Sequence, residues 1–191
     1  GLPDTPLVRS ALVGSWRLMR FEAAGMNWFN LTIEGFWRSF FAALPAAPFF
    51  ALLVYLDFGH RTEPIDVGRG MFATVLVYGI GWAMVPLIMI LVTKLLGISR
   101  SFIPMMVAYN WTTVPQIILQ ALATLPGAMG LIPDALSGTL LFSAMIYILV
   151  FEWFVIRIAL RTTAVTAVGI VLLLETAGIL VNLIEIGRAH V

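Results

Sequence analysis

The sequence predicts an all-α polytopic membrane helix bundle, with five transmembrane helices behind an N-terminal amphipathic helix. Three observations carry that expectation. Of 191 residues, 61% are apolar and 11% charged, against roughly 45–50% and about 25% in a soluble domain. The apolar residues fall in long runs, and about 20 residues suffice to cross the hydrocarbon of a bilayer as a helix. The charges gather between those runs. A net charge of +1 leaves no basic stripe for a nucleic acid.

Residues 1–30 read as a cytoplasmic or interfacial amphipathic segment rather than a span. Pro3 and Pro6 make its start irregular. From Leu7 to Glu22 the pattern is helical, and Arg9, Arg17 and Arg20 share an arc of about 80° on the helix. Such a helix lies in the membrane interface with its arginines toward lipid phosphate. The competing reading packs the same apolar face against the protein's own cytoplasmic surface. A signal peptide does not fit, because charges punctuate the segment and no small-residue cleavage site follows.

Residues 31–184 are expected to form one five-helix transmembrane domain. Thr32 or Asn30 caps the entry helix, with Glu34 in its first turn. The first span covers Trp37–Leu56, with Pro45 and Pro48 marking a kink. A polar loop over 57–70 includes His60, Arg61 and Glu63. The second span is Met71–Thr93, closed by Lys94 and kinked at Pro86. The third, Ser101–Leu125, is the most polar, with Asn110, Thr112, Thr113, Gln116 and Gln120 beside Pro104 and Pro115. A turn-rich loop follows from Pro126 to Asp134. The fourth span, Ala135 to Ile156, and the fifth, Thr162 to Ile184, are joined so tightly that they form an antiparallel hairpin. Trp16, Trp28, Trp37 and Trp153 fit interfacial anchors.

Charge asymmetry orients the chain. With five spans, eight cations (Arg9, Arg17, Arg20, Arg38, Lys94, Arg100, Arg157, Arg161) lie on one side and three (Arg61, Arg69, Arg188) on the other. Positive charge stays cytoplasmic. The expected localisation is therefore the bacterial inner membrane, with a cytoplasmic N-terminus and a periplasmic C-terminus. Arginine-rich, alanine-rich usage suits a bacterial source. The ending Glu185-Ile186-Gly187-Arg188-Ala189-His190-Val191 matches the translation of a sequencing adapter. Residues 185–191 are accordingly expected to be a non-native tail on a metagenomic gene fragment.

The residue inventory narrows the chemistry. Cysteine is absent, and the only histidines are His60 and His190. Thiolate chemistry, disulfides and two-histidine metal motifs are thereby excluded. No Walker phosphate loop and no nucleophile elbow occurs. No catalytic residue, cofactor or metal site is expected.

Function should show instead in polar groups at membrane depth. Glu175 lies 14 residues past Arg161, roughly 21 Å along a helix. Gln116, Asn110 and Tyr78 fall at comparable depths and complete a candidate intramembrane polar cluster. It reads either as a proton or cation relay, or as a protonated glutamic acid tying helices together. Glu152 sits five residues before Arg157, which with Arg161 makes a candidate interfacial ion pair. Arg9, Arg17 and Arg20 form a candidate membrane-surface basic face. The run Tyr109-Asn110-Trp111-Thr112-Thr113 with Pro115 and Gln116 could line a polar cavity or form the buried spine of the bundle.

Two strings, Tyr109-Asn110-Trp111 with Pro115 and the entry segment from Asn30 to Phe40, together with five spans and a terminal hairpin, resemble the Yip family of membrane proteins. The similarity covers residues 25–184 and points to the short, uncharacterised bacterial members. It implies a helix bundle of the same topology. The GTPase binding of eukaryotic members is implied to need a longer N-terminus, which these residues do not match.

The leading expectation is a non-enzymatic scaffold or partner-binding protein of the inner membrane. Its partners would be the lipid bilayer, other membrane proteins or a second copy of itself, and not nucleic acid. The rival is a small transporter or channel subunit that uses Glu175 and the polar third helix. A lipid-handling enzyme built on Glu152, Arg157 and Arg20 has no supporting spacing.

Overall fold

The computed structural model describes residues 5–58 and 67–189. All regular structure among the described residues is helical. Helix α1 spans Thr5–Met19. Its buried positions, Ala11, Gly14, Ser15, Leu18 and Met19, recur at three- and four-residue intervals, as one helix face must. That face is covered by protein: a short 3₁₀ helix (Ala23–Trp28) and helix α5 (Phe102–Ala128). The chain doubles back on α1 at close range. A Cβ on Gly14 would sit 2.9 Å from the Gly25 carbonyl oxygen, and one on Gly25 would sit 2.7 Å from the Gly14 carbonyl oxygen. Ser10 Oγ closes the pair by donating to the Trp28 carbonyl at 2.6 Å.

The end of α1 is locked by a residue of unfavourable geometry. Arg17's carbonyl accepts from the N–H groups of Arg20 and Glu22, each at 3.0 Å, while Phe21 takes φ 60°. A side chain in that left-handed region costs roughly 1–2 kcal/mol. The offset comes from helix α6 (Asp134–Leu160). The Phe21 ring meets Tyr147, Phe151 and Phe154 edge-on, with centroids 5.8, 6.4 and 5.3 Å away. The Tyr147 hydroxyl donates to the Met19 carbonyl beside it.

Thr32 is the cap at the entry of α2 (Ile33–Ser39), accepting from the Gly35 N–H at 3.1 Å. Asn30 supports it, its Oδ1 accepting from the Thr32 hydroxyl at 2.7 Å. A 3₁₀ turn (Phe40–Ala42) then leads into α3 (Ala43–Phe58). Helix α4 covers Val67–Leu95, starting before the expected second span, and α7 covers Ala164–Ala189. The 3₁₀ turn ends before Pro45, and α3, α4 and α5 run on through Pro48, Pro86 and Pro115. Helix α5 also runs through Pro126, so the loop expected over 126–134 shrinks to residues 129–133. His60, Arg61, Glu63 and His190 lie outside the described residues.

Four lengths are long and apolar enough to cross a membrane: Ile33–Asp57, Phe72–Leu95, Asp134–Leu160 and Ala164–Val181. Helix α5, the third span expected from the sequence, is not among them. Its Asn110, Thr112, Thr113, Gln116 and Gln120 make it too polar. Its place explains how the fold accommodates that. Helix α5 is the centre of the bundle, packed by α1, α2, α3 and α6, so its middle faces protein rather than solvent or lipid.

The core is concentrated at one end. Met105, Met106, Val107 and Trp111 of α5 join Phe151, Val155, Ile156 and Leu160 of α6 in one buried cluster with Leu18, Met89 and Ala167. Toward the other end, Leu122, Leu136, Phe142 and Met145 are exposed. Faces of that kind suit acyl chains rather than water.

Candidate functional site

Helices α6 and α7 are joined by residues 161–163. Arg161 takes φ 52° and its N–H caps the helix on the Arg157 carbonyl. Trp153 staples the two arms, its Nε1–H donating to the Ala164 carbonyl at 3.1 Å. A hairpin this tight sets side chains of the two arms level with each other. Glu152 lies eight residues before the end of α6 and Glu175 eleven after the start of α7, which is about 12 and 16 Å along the two helices. Tyr109 lies seven residues into α5, about 10 Å along it. The three side chains meet: the Glu152 carboxyl lies against the Glu175 carboxyl and the Tyr109 hydroxyl.

The two acids differ in setting. Glu152 is 3% exposed, and its Oε1 has no hydrogen-bond partner. Glu175 is exposed on the outer side of α7, next to exposed Leu172, Leu173 and Thr176. An unsatisfied buried polar atom costs about 1–3 kcal/mol, more when charged. Such atoms are rare in packed interiors.

Glu152 was expected to pair with Arg157 and Arg161, and it does not. No ion pair involves Glu152 among the described residues. The reason is angular. Five residues along a helix is a rotation of about 140° from the starting face, and nine is about 180°. Glu152 therefore points into the bundle, while Arg157 and Arg161 point out. The Arg157 guanidinium lies over the Trp153 ring, 5.4 Å from its centroid.

The expected cluster of Glu175 with Gln116, Asn110 and Tyr78 is not assembled either. Asn110 Nδ2 donates to Ser39 Oγ at 2.8 Å, tying α5 to α2. The Tyr78 hydroxyl donates to the Ala43 carbonyl at 2.5 Å, tying α4 to α3. Gln116 is half-buried and makes no hydrogen bond to Glu175. Thr112 and Thr113 bond back to carbonyls of their own helix, at 2.8 Å to Ala108 and 3.0 Å to Tyr109. Asn110, Thr112 and Thr113 of the polar run are thus bonded within the helix bundle.

The three arginines of the basic face are partly engaged. Arg17 stacks over Trp28 at 5.3 Å, Arg20 Nε pairs with Glu22 at 3.3 Å, and Arg9 is exposed. Beneath them a cleft of ≈ 300 Å³ separates α1 from α2 and α5, lined by Leu7, Asn27, Trp28, Asn30 and Trp111. It holds no charged side chain and is separate from the acid pair.

The nearness of Tyr109 to Glu152 and the pairing of Glu152 with Glu175 are not legible in the polar run of the third span or in the depth of single residues. The signal was present in the hairpin itself, since counting outward from a three-residue turn puts both carboxyls within one helical turn of the same depth. No family model, curated relative or solved structure matches the chain.

Proposed function

We propose that this chain is a non-enzymatic, partner-binding or scaffold protein of the bacterial inner membrane. It is a multi-pass protein with its N-terminus cytoplasmic and its C-terminus periplasmic. In this reading α5 is a fifth crossing, sheltered by the other helices, and the short bacterial Yip-like proteins are the group it resembles.

One observation carries the partner-binding reading: the exposure of Glu175 on the outer face of α7, about 16 Å into an apolar helix. A carboxyl group facing acyl chains is expensive, and such residues turn toward protein or a water-filled space. A helix of another membrane protein, or of a second copy, would cover that face. The test is photocrosslinking in native membranes from a benzophenone amino acid at Leu172, an exposed neighbour of Glu175. A discrete crosslinked product is expected. Crosslinks to lipid alone would sink the reading.

A second reading, a small transporter or channel subunit, is favoured by the meeting of Glu152 and Glu175. It expects ion flux in proteoliposomes that the Glu175→Gln change abolishes. Absence of flux in the unmodified protein would dispose of it.

A further inference from the structure

The cleft between α1, the start of α2 and α5 has walls of mixed chemistry, and they are fixed in place. At ≈ 300 Å³ it falls at the lower end of small-molecule sites, which run from roughly 300 to 1,000 Å³. Ser10 Oγ donates to the Trp28 carbonyl at 2.6 Å, and the Arg17 guanidinium lies 5.3 Å from the centroid of the Trp28 ring. Asn30 Oδ1 accepts from the Thr32 hydroxyl and N–H at 2.7 and 3.2 Å, which leaves its Nδ2 to donate elsewhere. Gly35 lets α2 press against Asn30, since a Cβ there would lie 1.8 Å from the Asn30 carbonyl oxygen. Trp111 also lines the cleft. It is 2% exposed, and among the described residues its indole N–H has no hydrogen-bond partner. A buried indole N–H ordinarily finds one. Among the described residues, Glu152 Oε1 is the one unpartnered side-chain polar atom sealed from all open space. The Trp111 N–H is therefore not sealed, and the open space that Trp111 lines is the cleft.

We propose that this cleft binds a single uncharged sugar ring of hexose size. No acid or base lines it among the described residues, so an ionic ligand would find no counter-charge there. A purely apolar ligand would leave the Trp111 N–H unpaired. A sugar ring answers both kinds of wall. Its hydroxyls accept from the Trp111 N–H, and they can both donate to and accept from the amide of Asn27, which makes no hydrogen bond among the described residues. Its C–H faces pack on the indole of Trp28 and on Leu7 and Val107. Asn27 and Trp28 are exposed where the cleft opens, so the entrance is polar and does not pass through acyl chains. The ring can arrive there free in solution or as the headgroup of a glycolipid. The site is complete within one chain and does not rest on the partner-binding reading of α7.

The test is fluorine NMR on the intact protein in phosphatidylcholine nanodiscs, with fluorotryptophan at its six tryptophans. Two probes are titrated: methyl β-glucoside in the buffer, and a monoglucosyl diacylglycerol mixed into the bilayer. The Trp28 and Trp111 resonances are expected to shift saturably, while those of Trp82 and Trp153 stay in place. A shift with the glycolipid alone identifies a lipid headgroup, and a shift with both probes shows that the free sugar suffices. For the free sugar the expected dissociation constant is about millimolar, as befits so small a ligand. Asn27→Ala changes an exposed side chain and is expected to weaken binding roughly fivefold, the loss of one hydrogen bond. Trp111→Phe keeps a ring in the wall and removes the N–H; followed at Trp28, it is expected to weaken binding to a similar extent. No saturable shift at Trp28 and Trp111 with either probe, or equal shifts at all six tryptophans, would overturn the proposal and leave the cleft to water. Unchanged affinity in both variants would overturn it as well, by placing the sugar elsewhere.

Discussion

Glu152 is buried against another acid with no basic residue in attendance. Its neutral isostere should therefore be better tolerated than its charge suggests. In Glu152→Gln the new amide can donate to Glu175. The melting temperature in detergent is expected to rise, by a stability gain on the order of 1 kcal/mol. A fall of several degrees would mean that the carboxyl is needed for folding. Thr32 offers a simpler case. Its hydroxyl caps the entry helix, and Thr32→Ala is expected to lose about 1 kcal/mol in thermal unfolding. At this scale the identity of the special residues was legible but their partners were not. Glu175, Asn110 and Tyr78 stand out by depth alone. Whether Asn110 meets Glu175 or Ser39 depends on how α5 and α2 are rotated about their axes, which depth does not encode. The misassigned Glu152 is a lesson of the same kind, since a five-residue spacing to Arg157 is close in sequence and far around the helix.

Among the elements, α1 depends most on a few contacts. It is held by the Gly14–Gly25 approach, by the Phe21 ring and by the hydrogen bond from Tyr147 to the Met19 carbonyl. Gly25→Ala puts a methyl 2.7 Å from the Gly14 carbonyl oxygen. Overpacking of this sort costs typically 1–3 kcal/mol, and here it falls on one element. Limited proteolysis is expected to cut the segment 1–30 sooner in Gly25→Ala, with the rest of the chain protected to the same extent. Equal protection in both proteins would contradict the docking of α1 described above. The apolar lengths of this fold were legible as elements because a bilayer demands long unbroken runs of nonpolar residues. Helix α5 was legible too, yet its polar run told little of its use. Those side chains are satisfied by their own helix and by Ser39, and that depends on the crowding of four other helices around them. The basic arc of α1 was legible as an arc, whereas the protein surface beneath it comes from long-range packing.

For the molecule as a whole, composition already placed the chain in a membrane, and four apolar helices agree with that. The packed core lies at the end that carries Lys94, Arg100, Arg157 and Arg161, and the opposite end exposes its apolar side chains. The absence of cysteine makes orientation directly measurable. Single cysteines placed at Ser99 and at Thr163 are expected to react with a membrane-impermeant maleimide only after the cell is opened, and one at Leu131 in intact spheroplasts. Reaction at Ser99 in intact spheroplasts would invert the proposed topology.

The proposed role turns on whether the Glu175 face of α7 is covered by protein in the membrane. The most direct measurement is the mass of the particle extracted in native nanodiscs, without detergent, compared with the 21.0 kDa of one chain. The expected result is a particle containing a second polypeptide, either another copy or a different membrane protein. A nanodisc holding one 21.0 kDa chain and lipid alone would contradict it.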